Sequence, residues 1–147
     1  MSDLALGYVL ISAAGVQVLC QLFKVALYSC RDHKLSFRYF FTAGGMPSAH
    51  SAFVTGLTVA VGMARGVASE LFAVAFVFAV VVVYDAFRLR GTVELHAKAL
   101  TKLLKMLPER DRVEIPQMVG HSLGEIVAGM AAGAAFAVGL YFILRVV

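Results

Sequence analysis

Apolar residues gather in four runs, each long enough to cross a bilayer as a helix, for which about 20 residues suffice. They cover about 5–29, 48–65, 70–87 and 118–144. The third, "FAVAFVFAVVVVYDAF", is rich in β-branched residues. A lone strand in lipid leaves its backbone unsatisfied, so the pattern predicts a helix there too. Only "RGVASE" separates the second run from the third, which requires a tight antiparallel hairpin. Beyond the third run the period changes. Over about 92–107, Val93, Ala97, Leu100, Leu103, Leu104 and Leu107 share one helical face, and Lys98, Lys102 and Lys105 share the other. That is the pattern of an interfacial amphipathic helix, or of a cover over the bundle. The expected architecture is all-α: an integral membrane helical bundle of about four transmembrane helices with a cytoplasmic amphipathic helix, forming one membrane domain over 1–147.

Composition agrees with lipid as the solvent. The chain is 61% hydrophobic and 15% charged, where soluble domains run at about half and a quarter. The net charge of +4 does not point to nucleic acid, because so apolar a chain leaves no soluble basic domain to carry it. The charge lies in two loops instead. Arg31, Lys34 and Arg38 fall in the first; Arg88, Arg90, Lys98, Lys102, Lys105, Arg110 and Arg112 fall in the second. With four spans both loops lie on one face, cytoplasmic by the positive-inside rule, and both termini lie outside. The expected location is a bacterial-type inner or plasma membrane. Asp3, with no basic residue ahead of a long first run, argues against a cleaved signal peptide. Cys20 and Cys30 read as buried or interfacial free thiols. Glycines four apart, Gly62 with Gly66, Gly120 with Gly124 and Gly129 with Gly133, permit close helix approach within one bundle or in a homodimer.

Ionisable residues inside spans are costly and usually functional. Here each span sends some to the same side. Lys24 and Arg31, seven apart, share a face at the inner end of the first span. His50 stands at the inner end of the second, Asp85, Arg88 and Arg90 at that of the third, and His121 and Glu125 at that of the fourth. Three or four cations suit a dianion. Two histidines and a carboxylate suit proton transfer and nucleophilic attack. His50 and His121 lie near helix N-termini, which favour anions, and Ser48 after Pro47 fits an N-cap. Glu125 is one turn from His121 and can fix its tautomer. Asp85 can pair with Arg88 or Arg90, or orient His50. His33 and His96 read as solvated loop residues. Two histidines with Glu125 or Asp85 could also hold zinc, but the neighbouring cations oppose a metal ion, so no metal is expected.

"GGMPSAHS" (44–51), "YDAFRLR" (84–90) and "GHSLGEIVAG" (120–129) resemble the divergent branch of the type 2 phosphatidic acid phosphatase superfamily, related to vanadium-dependent haloperoxidases. The superfamily's first motif has a Lys and an Arg with six residues between them, then Pro; Lys24 and Arg31 match, with Asp32 in place of the proline. The second is Pro-Ser-Gly-His; Pro47, Ser48 and His50 match, with Ala49 third. The third has an Arg, a His, and an Asp four residues on. His121 matches, Glu125 stands for the aspartate, and Ile115 occupies the arginine's place. Arg88 or Arg90 would have to supply that charge.

The resemblance implies hydrolysis of a lipid or polyprenyl phosphate monoester with no cofactor, vanadate serving only as a phosphate mimic. In it His121 forms a phosphohistidine and Glu125 orients it. His50 protonates the leaving oxygen, and Lys24, Arg31, Ser48 and the backbone at Ala49 hold the phosphate. The partners expected are the bilayer, the lipid substrate and a second copy of the chain. The competing expectation is a phosphate- or phospholipid-binding or transport protein that keeps the pocket without turnover.

Overall fold

The computed structural model describes residues 3–35, 40, 45–106, 108 and 122–144. They form five α-helices: α1 (Asp3–Arg31), α2 (Ala49–Arg65), α3 (Glu70–Tyr84), α4 (Arg90–Leu104) and α5 (Leu123–Leu144), with a π-helical turn at Asp85–Leu89 leading from α3 into α4. No strand occurs among the described residues. Three helical stretches are long and apolar enough to span a membrane by length and composition: Leu4–Arg31, Glu70–Leu104 and Leu123–Leu144. The second runs through the π turn, so the amphipathic segment continues the third span. α2, with 17 residues, lies at the short end of the spanning range of about 17–25.

α2 is the hub, packed against α1, α3 and α5. Its buried positions, among them Ala49, Ser51, Ala52, Val54, Gly56, Thr58 and Ala60, leave no polar face, as expected of a helix enclosed by others. The outer helices do the opposite. Leu10 and Phe23 of α1, Val74 and Val77 of α3 and Phe142 of α5 are exposed, a surface suited to lipid.

Local signals set the helix ends. Ser48 caps α2, its Oγ accepting from the Ser51 amide. Gly66, at φ 83°, ends it and donates to the Gly62 carbonyl. Three residues on, Ser69 caps α3 through the Phe72 amide (3.2 Å) and donates to the Gly66 carbonyl (2.8 Å). Both bonds make the expected hairpin turn. α1 stops at His33, a non-glycine residue with φ 50°, while the Lys34 amide reaches back to Ser29 (3.1 Å), as in a Schellman ending.

The contacts also give direction. Tyr8, near the start of α1, donates to the Ala137 carbonyl near the end of α5 (2.9 Å) and stacks edge-on with Tyr141. Tyr8, Ala60 and Ala137 form one core cluster. At the other end, the Ser48 amide donates to the Glu125 carbonyl (3.0 Å). α2 and α5 therefore run in the same sense, with α1 and α3 opposed to them.

The glycine pairs divide by use. A Cβ on Gly133 would run into the Ala52 carbonyl oxygen, and one on Gly129 into that of Ser48. This pair lets α5 lie directly on α2 within one chain. Gly66 serves as a cap, Gly124 faces open space, and Gly120 lies outside the described residues.

Candidate functional site

The last turns of α1, the first turn of α2, the π turn and the first turn of α5 meet at one end of the bundle. Lys24 is its most unusual member: a lysine only 2% exposed inside a spanning helix. Glu125, across on α5, acts electrostatically on it. So polar a pair is costly in an apolar bundle, which is why intramembrane charges usually mark function.

The turn at Pro47–His50 is held from two sides. The Ser48 amide is bonded to Glu125, and the Ser48 carbonyl rests against Gly129. Ser48 is fully buried and its Oγ lies 2.9 Å from Ser51 Oγ. The hydroxyl is thus engaged within the cap. Ala49 is also fully buried. Ala49 and His50 open the first turn of α2. His50 itself is exposed at this end.

The first turn of α5 carries a reciprocal cap. The Glu125 amide donates to Ser122 Oγ (3.3 Å), and the Ser122 amide donates to Glu125 Oε2 (3.0 Å). This is a capping box. Glu125, expected to orient His121, has this second duty as well, and the Ser-x-x-Glu spacing of Ser122 and Glu125 is its signal. Gly129, by its spacing from Gly133, was expected to allow close helix approach and does so against Ser48; the part played by Ser51 carried no such signal.

The remaining candidates divide. Arg31, in the last turn of α1, and Arg88, in the π turn, are exposed at the same end. Asp85 opens the π turn half-buried, and Arg90 is the first residue of α4. His121 lies outside the described residues, one position before the α5 cap in the chain. So do Arg38, Leu107, Arg110, Arg112, Ile115 and the 118–121 start of the fourth predicted span. Among the described residues no three of His, Cys, Asp and Glu come together as a metal ligand set.

Charges of both signs gather here, the carboxylates of Asp85 and Glu125 among them. One buried and two exposed cations surround two parallel helix N-termini, whose dipoles add to them.

Residues 6–136 match the family model described as Divergent PAP2 family. An uncharacterized membrane protein of Bacillus subtilis (strain 168), YuiD, is 28% identical over 145 residues, which cover 89% of this chain and 92% of that protein. No solved structure matches. The chain is an integral membrane protein of the Divergent PAP2 family, related to the phosphatases of that name.

Proposed function

We propose that the protein is a phosphatase for a lipid or polyprenyl phosphate monoester, acting at the cytoplasmic leaflet of a bacterial-type plasma membrane. The observation that carries this reading is the joining of the Ser48 turn to α5 through the 3.0 Å bond to Glu125, with buried Lys24 alongside. The superfamily's motifs supply the roles. The His121 imidazole attacks phosphorus, and the bond from phosphorus to the ester oxygen breaks. His50 gives that oxygen its proton. Water, deprotonated by His50, then attacks the phosphohistidine; the P–N bond breaks and inorganic phosphate leaves. Phosphoryl transfer needs positioning and charge neutralisation above all. Lys24, Arg31, Arg88 or Arg90, and the backbone at Ala49 provide both. Ser48 fixes the turn. Glu125 anchors α5 and orients His121.

A panel of lipid and polyprenyl phosphates, assayed for phosphate release with EDTA present, tests this. Release that survives EDTA supports it. Absence of release from every substrate, with phosphate or vanadate still bound, favours the non-catalytic binder, for which Ile115 in place of the motif arginine speaks.

Sidedness has its own test. In a Cys20→Ser, Cys30→Ser background, Ser36→Cys is expected to react with an impermeant thiol reagent only from the cytoplasmic side. Ser69→Cys is expected to react only from outside. The reverse pattern inverts the topology.

A further inference from the structure

A groove of about 420 Å³ lies between α3 and α5 with α2 as its floor. Phe76, Val80 and Phe87 line one wall, Ile126 and Met130 the other, and Thr58 the floor. Thr58 brings no free hydroxyl to it, since Oγ1 is shared between the Val54 (2.8 Å) and Ala75 (3.1 Å) carbonyls. The groove is therefore apolar along its length.

Its position gives it meaning. It reaches the site end at Phe87, next to Arg88, and at Leu123, two residues before Glu125. From there it runs to the level of Phe76. Eleven residues of helix make about 16 Å at 1.5 Å each, roughly half of a 30 Å hydrocarbon core. One end is cationic and the rest is hydrocarbon-like, over the depth of one leaflet. That is the outline of an anionic headgroup with a single chain beneath it.

Resting on the phosphatase reading, we infer that the groove holds one hydrocarbon chain of the substrate. The substrate class is then a phosphate carried on one long alkyl, acyl or isoprenoid chain, to whose binding a second chain adds nothing. The slot gains no hydrophobic energy over lipid, because lipid tails are as apolar as its walls. Its contribution is register: a chain seated in it holds the phosphate at the depth of Lys24 and the Ser48 turn.

The test uses the protein in phosphatidylcholine nanodiscs with hexadecyl phosphate bearing a diazirine at the far end of its tail. Photolysis is expected to label α3 around Phe76 and α5 around Met130, at the end of the groove away from Phe87 and Leu123. Unlabelled hexadecyl phosphate should compete; hexadecanol and inorganic phosphate should not. Phosphatidic acid should compete no better than the single-chain phosphate. Ala79 also lines the α3 wall, so Ala79→Phe puts a ring into the slot and should cut labelling about tenfold or more. Met130→Trp, from the opposite wall, does the same if the first variant fails to fold. Val74→Phe, on the lipid-facing side of α3, should leave labelling unchanged.

Labelling spread over Val74, Val81 and Phe142, or equal competition by hexadecanol, overturns the slot. The two readings fail separately. Groove labelling without phosphate release from any alkyl phosphate removes the hydrolase and keeps the slot. Release that ignores chain length, from butyl to hexadecyl, and is untouched by Ala79→Phe removes the slot and keeps the hydrolase.

Discussion

The His121→Asn protein is expected to release no measurable phosphate, a fall in kcat of about three orders of magnitude or more, as when a nucleophile is removed from a working group of residues. Asparagine keeps much of the polarity of the ring but cannot form the P–N bond. Binding should survive, because Lys24, Arg31 and the backbone at Ala49 hold the phosphate. Affinity for inorganic phosphate should therefore stay within a few-fold. His50→Asn should behave differently. Loss of a general acid costs about 10²–10⁴, and that loss should shrink on an aryl phosphate whose leaving group needs no proton. Turnover retained by His121→Asn sinks the phosphohistidine route. Turnover abolished by EDTA in the unaltered protein returns a metal to the reaction.

Gly133→Val is expected to stop α5 from seating on α2. Its Cβ would meet the Ala52 carbonyl oxygen and the Gly56 amide nitrogen, both backbone. Neither can swing aside as a side chain can. Overpacking ordinarily costs about 1–3 kcal/mol, and with backbone on the far side the upper end or more is expected. The readout is the thermal midpoint of the detergent-solubilised protein, with recovery of folded material. Gly124→Ala is the matched control, since no heavy atom lies within 4 Å of an added Cβ there. It should hold or slightly raise the midpoint, alanine being the better helix former. Equal behaviour of the two variants means that α5 does not rest on α2 as described.

Much of the fold was legible because lipid makes hydrophobic length a strong signal. The runs at 5–29, 48–65 and 70–87 anticipated α1, α2 and α3, and "RGVASE" anticipated the hairpin. The continuity from α3 into α4 was not legible. The change of period after "YDAFRLR" reads as a break, whereas a π turn carries the helix through it. At the site, the seven-residue spacing of Lys24 and Arg31 and the Pro-Ser-x-His stretch brought forward residues that meet at one end. Burial was beyond the pattern. Nothing in "QLFKVALYS" distinguishes an enclosed lysine from a snorkelling one. Nor does spacing alone tell that Ser48 is engaged by Ser51, or that one oxygen of Glu125 is spent on Ser122. Such facts depend on which faces turn inward, and that is settled only when distant helices pack.

The bond from Ser48 to Glu125 has a consequence for biosynthesis. Lys24 and Ser48 are made early and Glu125 late, about 100 residues after Lys24. At about 5–20 residues per second, roughly 5–20 s pass before the ribosome delivers the second half. During that interval the nascent α1 and α2 carry a lysine without its carboxylate and a Ser48 amide without its acceptor. A chain stalled before α5 thus displays intramembrane polar groups that the finished protein conceals.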